Sequence, residues 1–443
     1  MAATRTNSPL EVMAEPLEGS YFVSTYPPFS TWSGSARECY RAALANESTA
    51  DVPLGLYAHI PFCDLRCRYC YYLSQANPAA DSVESYLDCL EVEMALLGAS
   101  PALRHRELSF IYFGGGTPSM LLPDQIERLM AFVRRSFTWA EGAEVTFECA
   151  PRTVGVDRLA VLRQCGVTRL SLGVQQLDDE VLSRNGRVHT VSDVEKAVEC
   201  IQSVGFDVVN LDLIVGLVGE TEDTFFRSLG RVIEMDPQSV TLYQLEIPFN
   251  TPLARAVRSR RDSLAIPSWE TKRRRLDAAF RRLEGAGYFV RSAYAAVRNP
   301  SQHGFVYQDS QYRGADLVGA GASAFSYLSG VHHQNLASVR DYSTCLGRGD
   351  LPLYRAHALS ADEQMVRQFV LQLKLGGCRT GAFRRSFDVD PLERFAQPLS
   401  HFEGLGWVEA DADAVRVTRE GLLRVDRMIP AFYNAEHQTV RYS

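Results

Sequence analysis

His59-Ile60-Pro61-Phe62-Cys63-Asp64-Leu65-Arg66-Cys67-Arg68-Tyr69-Cys70-Tyr71-Tyr72 is the stretch from which the fold is read. Its cysteines are spaced CxxxCxxC and follow directly on the apolar run 54–60. Three thiolates on one short loop can hold three corners of a cubane [4Fe-4S] cluster and leave the fourth iron open. Zinc sites take two CxxC pairs or mix cysteine with histidine, and ferredoxin runs supply four thiolates per cluster. Reduced, packed thiols are the plain alternative, since free cysteine is often buried. A polar loop carrying Arg66 and Arg68 after a strand is a poor place to bury them, and the thiolate preference of iron–sulfur clusters favours the cluster. The expected metal ligands are therefore Cys63, Cys67 and Cys70.

With Tyr69 placed before the last cysteine, the motif resembles the signature of the radical S-adenosylmethionine (SAM) enzymes. The resemblance implies that the unique iron chelates the amino and carboxylate groups of SAM. It further implies that the reduced cluster splits the sulfonium to give a 5′-deoxyadenosyl radical.

The chain has 443 residues, 46% hydrophobic and 22% charged, with a net charge of −7. That length predicts one large catalytic domain with a smaller one beside it. The composition is that of a globular protein, and the negative balance offers no drive toward nucleic acid or an anionic membrane. No apolar run reaches the roughly 18 residues of a membrane helix, and no basic-then-apolar leader opens the chain. A cytoplasmic protein is expected, in a reducing compartment where close-set thiols signal metal or catalysis. The other seven of the ten cysteines are scattered singly and read as packing residues.

Residues 1–50 read as an N-terminal extension, whose aromatic, Pro-containing piece Tyr21-Phe22-Val23-Ser24-Thr25-Tyr26-Pro27-Pro28-Phe29 covers an apolar surface or lids a site. From Leu54 onward, apolar runs alternate with helical periods, the pattern of βα units and a parallel sheet. The predicted strands are 54–60, 108–113, 144–149, 169–174, 207–215 and 239–246. The predicted helices are 84–97, 123–137, 157–165, 191–204, 221–234 and 268–285. Six units over 51–290 predict an α/β fold, a partial (β/α)6 barrel open on one side. Such sheets bind ligands at the carboxyl ends of their strands.

Gly114-Gly115-Gly116-Thr117-Pro118 follows the second strand. Glycines there permit positive φ and close backbone approach, and after a CxxxCxxC loop the run resembles the family's GGGTP element, which holds the methionine part of SAM. Glu148 ends the third strand, where bonding to ribose hydroxyls would offset the cost of a carboxylate at a barrel mouth. Gln175 and Gln176 close the fourth strand, and Arg187 follows. Asp212 lies in the apolar stretch 208–216; a buried strand carboxylate is either paired structurally or functional.

Strand-end Glu148, the LGVQ of 172–175, Arg187 and the NLDLI of 210–214 together resemble one branch, the oxygen-independent coproporphyrinogen III dehydrogenase (HemN-like) family. That resemblance implies two bound SAM molecules, contacted by Tyr57, Tyr69, Gly115, Gly116, Thr117, Glu148, Gln175, Arg187 and Asp212, with Glu246 added from the sixth strand end. Tyr57, Glu148 and Asp212 are also expected to serve catalysis. A planar guanidinium such as that of Arg187 suits a SAM carboxylate. Residues 291–350, with the glycine-rich 314–326, resemble a segment that closes on the ligands. Residues 351–443, with helices at 362–375 and 392–404 and a wing at 415–421, resemble the family's small winged-helix-like α+β C-terminal domain, expected to cover the site and not to read DNA.

The most basic region, Arg255 to Arg282 with its run Lys272-Arg273-Arg274-Arg275, reads either as a solvated helix face or as an anion-pairing rim for a carboxylated substrate. His59, His332, His333 and His437 lack metal-ligand spacing and read as structural.

Three readings of the activity follow. The leading one is SAM-derived methylene transfer to an sp² carbon, giving methylation or cyclopropanation, as in HemN-like methylases. The alternative is oxidative decarboxylation of coproporphyrinogen III, and the third is haem delivery without turnover. Tyr71 and Tyr72 stand where the dehydrogenases carry a small residue and a further cysteine, which argues for a reshaped pocket and against the porphyrinogen substrate. An extension of some 50 residues ahead of the motif argues against pure haem delivery. The expected partners are a small-molecule substrate and an external flavodoxin- or ferredoxin-type electron donor, with the chain a monomer.

Overall fold

The computed structural model describes residues 15–19, 21–47, 51–259, 264–438 and 440. Six parallel strands form its centre: β1 (Leu54–Ile60), β2 (Glu107–Gly115), β3 (Thr138–Cys149), β4 (Arg169–Gln175), β5 (Val208–Val215) and β6 (Ser239–Gln244). They pair in chain order. The central strands bury most of both faces, so they read as near-continuous apolar runs without alternation; β1 is buried at every position but Tyr57.

The crossovers carry α1 (Ala80–Gly98), α2 (Pro123–Ser136), α3 (Val156–Gln164), α4 (Val191–Val204), α5 (Glu222–Glu234) and α6 (Trp269–Gly285). Local chemistry sets their starts. Thr190 and Thr221 each accept from the backbone three residues on, in a capping box, and Ser268 caps α6. Pro123 opens α2, where its missing N–H costs nothing. Ile126, Leu129, Met130 and Val133 share one face of α2 at helical spacing and enter the main core with Leu87, Leu90 and Met94 of α1.

The expected open barrel is present, but the sheet runs on past both of its edges. β7 (Phe289–Val290) and β8 (Ala295–Val297) add antiparallel strands beyond β6. β9 (Asp316–Ala320) pairs parallel with β1, from Leu54 with Asp316 to Ala58 with Ala320. Antiparallel β10 (Phe325–Leu328), β11 (Val331–Asn335) and β12 (Leu353–Ala358) follow it, giving 12 strands. The glycine-rich 314–326, expected as a closing segment, forms a strand and turn beside β1. Gly319 lies where a Cβ would meet the Phe325 carbonyl oxygen at 2.3 Å, which is why the chain needs glycine to fold back there.

Residues 359–438 pack round a second core that includes Val366, Phe369, Phe395, Phe402 and Phe432. Its three-stranded sheet joins Gly377–Arg379, Ala414–Val417 and Val408–Ala410. The helix expected over 392–404 is broken at Phe395 into Pro391–Arg394 and Ala396–Gly404. Val23 and Tyr26 of the N-terminal extension belong to this second core.

Candidate functional site

One cavity of about 370 Å³ opens at the carboxyl ends of β2 to β6. Its walls include Cys67, Tyr69, Cys70, Gly115, Gly116, Thr117, Glu148, Gln175, Arg187, Asp212 and Glu246. Two expected residues are absent from that wall. Tyr57 lies behind it, its hydroxyl 3.1 Å from His59 Nδ1 and its ring stacked near Tyr112. Cys63 is held just outside by Thr117, whose Oγ1 donates to its Sγ at 3.6 Å.

The cysteine loop and the glycine loop are locked together. Gly116 N donates to Ile60 O at 2.9 Å and Thr117 N to Phe62 O at 2.7 Å. A Cβ on Gly116 would lie 2.5 Å from Phe62 O, so only glycine allows this approach. Arg187 braces the loop from the other side, donating from Nη1 to Cys67 Sγ at 3.1 Å and from Nη2 to Gly173 O at 2.8 Å. Burial opposes the Arg187 charge, but Cys67 and Tyr69 beside it outweigh that and raise its pKa. Burial pushes the Cys63 thiol up, and Cys70 to about 11.

Glu148 accepts from Tyr112 Oη at 2.6 Å and from Gly115 N at 3.1 Å. Burial raises its pKa to about 7 against those two bonds, and Asp212 adds to the rise. Asp212 accepts from Ser171 Oγ at 3.1 Å and Asn210 Nδ2 at 2.8 Å, and burial lifts it to about 6. Both structural pairing and exposure to the cavity therefore apply to Asp212. Burial lifts Glu246 to about 8, with Asp426 adding to the rise; it accepts from Tyr21 N at 3.1 Å.

The donor set suits the cofactors that the cysteine motif implies. Among the described residues no three His, Cys, Asp or Glu side chains converge on a single metal ion. A cubane asks for something else, because its three thiolates bind three different irons. Buried polar atoms on the cavity wall also lack partners: Gln175 Oε1, Arg187 Nε and Gln244 Oε1. Buried polar atoms are nearly always bonded, so these point to a polar ligand. Gln175 sits at φ +65° after a register shift between β4 and β5, a bulge that turns its amide toward the cavity.

Sequence reasoning missed several residues here. Arg169 opens β4 and is buried beside the cavity, donating to Gly304 O at 3.0 Å and Ser239 Oγ at 3.2 Å. Its signal was a cation at the head of a buried strand. Tyr112, Tyr243, Tyr294 and Phe305 line the cavity together with Tyr71 and Tyr72, which stack at 4.6 Å. The roof comes from both ends of the chain, Tyr21 and Phe22 from one and Leu422 to Arg427 from the other. Asp426 ties them, accepting from Val23 N at 2.8 Å and pairing with Lys374 Nζ at 2.9 Å. The basic run is mostly buried. Lys272 Nζ donates to Leu245 O at 2.7 Å, Arg275 pairs with buried Glu220 at 2.8 Å, and only Arg274 keeps to the solvent. The solvated-face reading holds for Arg255, Arg258, Arg274, Arg281 and Arg282, which are exposed, and fails for Lys272, Arg273 and Arg275, because α6 turns that side onto the β5 and β6 strand ends.

Residues 57–231 match the profile of the radical SAM superfamily and residues 359–424 that of the HemN C-terminal domain. The heme chaperone HemW of Mycobacterium tuberculosis (strain ATCC 25618 / H37Rv) is 32% identical over 381 residues, 85% of this chain and 94% of that protein. The oxygen-independent coproporphyrinogen III oxidase of Pseudomonas aeruginosa is 28% identical over 415 residues, 88% of this chain and 89% of that protein. The solved structure of Escherichia coli coproporphyrinogen III oxidase (HemN), described as a radical SAM enzyme, superposes with a TM-score of 0.80 at 27% identity, covering 93% of this chain and 96% of that one. With its cysteine loop, glycine loop and strand-end carboxylates on one cavity, this chain belongs to the HemN-like family of radical SAM proteins, whose cofactors are a [4Fe-4S] cluster and SAM.

Proposed function

We propose that the protein is a radical SAM enzyme of the coproporphyrinogen III dehydrogenase type, removing a propionate carboxyl group from a porphyrinogen to leave a vinyl group. The observation that carries this reading is the near full-length likeness to HemN. A match over 93% of 443 residues leaves about 31 outside it, too few to omit all of the 50-residue extension that helps to roof the cavity. By sequence, HemW matches over 85% of this chain and the Pseudomonas aeruginosa oxidase over 88%. The leading expectation from sequence, methylene transfer, has no support from these relatives, which are coproporphyrinogen oxidases and heme chaperones.

The residues divide the work. Cys63, Cys67 and Cys70 would hold the cluster, and Arg187, Gln175, Glu148 and the glycine loop would hold SAM against it. Asp212 with Asn210 offers acceptors for a second SAM. When bound, these cofactors supply a carbon radical that takes a hydrogen atom from an unactivated carbon. The chain's own part is to hold that carbon in reach and keep water out, which the two-ended roof over the mouth does. Tyr71, Tyr72, Tyr243, Tyr294 and Phe305 offer broad faces to a tetrapyrrole, and Arg273, Arg424 and Arg427 at the rim offer cations to its carboxylates. The substrate propionate gives up one hydrogen atom, one electron and carbon dioxide, with an external acceptor taking the electron.

The test is anaerobic turnover of the cluster-reconstituted protein with SAM, dithionite and coproporphyrinogen III. Chromatography and mass spectrometry follow 5′-deoxyadenosine, S-adenosylhomocysteine and porphyrinogen mass. Loss of carbon dioxide from the porphyrinogen without S-adenosylhomocysteine is the expected result. Cleavage of SAM with every propionate intact overturns it, and S-adenosylhomocysteine formation would bring the methylene-transfer reading back.

A further inference from the structure

We propose that Arg273 and Arg427 form a carboxylate subsite for the substrate at the cavity mouth, and that Glu15 of the N-terminal extension fills it while the substrate is absent. This rests on the proposed function for the identity of the substrate, not for the existence of the subsite. Both arginines line the cavity. Arg273 comes from α6 of the barrel and Arg427 from the C-terminal domain, so the subsite spans the two units.

Glu15 is bound between them as a ligand carboxylate would be. Arg273 donates from Nη1 to Glu15 Oε2 at 2.7 Å and from Nη2 to Glu15 Oε1, a fork-on-carboxylate pair. Arg427 Nε lies 3.2 Å from the same Oε1. Two cations thus share the Glu15 carboxylate. The group is withdrawn from water, with side-chain exposures of 10% for Arg273, 21% for Glu15 and 26% for Arg427. Arg273 Nε is buried and has no partner, so one donor of the guanidinium stays unused with Glu15 in place. Aromatic rings hold both cations in position: Trp269 lies 6.0 Å from the Arg273 guanidinium and Tyr21 lies 5.3 Å from that of Arg427.

A purely structural clamp is the competing explanation, and the two predict opposite results for Glu15→Gln. Removing a clamp loosens the roof and weakens ligand binding. Removing a placeholder frees the arginines and strengthens it. The contacts next to Glu15 favour the placeholder, because Pro16 O accepts from Trp269 Nε1 at 3.1 Å and so anchors the extension without the carboxylate.

The experiment uses the full-length, cluster-reconstituted protein and two probes. Fluorescence anisotropy measures coproporphyrin III binding, and thermal unfolding at constant ionic strength measures stabilisation by glutarate, a simple dicarboxylate. Glu15→Gln should lower the coproporphyrin III Kd about three- to tenfold. Arg273→Gln, alone or combined with Glu15→Gln, should raise it at least about tenfold, as losing a partly desolvated charge partner does. Arg273→Lys, which keeps the charge and loses the fork, should fall between and serves if the glutamine variant does not fold. Glutarate should raise the Tm of Glu15→Gln and leave the double variant unmoved. Weaker or unchanged porphyrin binding by Glu15→Gln, or a glutarate shift that survives loss of Arg273, overturns the subsite. If no variant binds the porphyrin while the glutarate shift still depends on Arg273, the subsite stands and the porphyrinogen reading falls.

Discussion

Arg187 reaches across 120 residues of sequence to place Nη1 3.1 Å from Cys67 Sγ, while its Nη2 donates to Gly173 O at 2.8 Å. One guanidinium thereby fixes the cysteine loop to the end of the fourth strand. His189 Nδ1, 3.3 Å from the same Nη2, completes the brace.

Replacing Arg187 by lysine keeps a charge and loses the fork. Groups that orient metal ligands typically contribute 10- to 100-fold to metal affinity or activity. We expect Arg187→Lys to lower iron and sulfide retention, or 5′-deoxyadenosine formation at full cluster loading, by about that factor. Cys67→Ala should abolish both. Retention of reductive SAM cleavage by Cys67→Ala would sink the cluster assignment.

Glu148, Asp212 and Glu246 have folded-state pKa values raised to about 7, 6 and 8, so the folded protein binds protons there that the unfolded chain has released. Stability then falls as pH rises from about 4.5 toward 8, the reverse of an ion-paired carboxylate. Glu246 faces the Tyr21 and Phe22 amides, Asp426, Lys374 and Lys272. Lys272, lowered to about 8 by burial, gives the opposite slope above that pH. Glu246→Gln should flatten the decline of Tm between pH 6 and 8 in the cofactor-free protein, taking about 8 as the upper end of the window. An unchanged profile would show that the Glu246 carboxyl does not take up a proton on folding.

Lys272 and Arg274 are two residues apart on α6 and have unlike surroundings. Lys272 Nζ sits 4.0 Å over the Trp269 ring and bonds Leu245 O, while the Arg274 side chain is 68% exposed. Lys272→Met should cost about 1–3 kcal/mol through the orphaned carbonyl, and Arg274→Ala less than about 0.5 kcal/mol. Denaturant midpoints compared at equal m would decide this. Equal costs would restore the solvated-face reading.

Asp426 holds the N-terminal segment down through the Val23 amide. A hydrogen bond to a charged group contributes about 1.5–3 kcal/mol. Asp426→Ala should therefore speed amide exchange at Val23 by on the order of tenfold or more, with the barrel strands unchanged. Exchange that rose uniformly would mean that Asp426 supports the whole C-terminal domain and not the roof.

Local patterns along the chain were enough to specify the barrel and to place the candidate site residues at its rim. Six apolar runs and six helical periods are local signals, and the strands fell within a few residues of their expected limits, except β3, which begins at Thr138 and not at 144. The cysteines and strand-end carboxylates were legible because motif spacing and strand position both lie along the chain. The tertiary structure alone decided the rest. β9 to β12 extend the sheet past β1, because pairing of Leu54 with Asp316 is a contact over 262 residues that no local pattern encodes. Which side of the basic region is buried was hidden for the same reason, since burial of Lys272, Arg273 and Arg275 depends on what α6 packs against. The roof is decided there too: Tyr21 meets Glu246, and Val23 meets Asp426, only after both chain ends reach the mouth of the barrel.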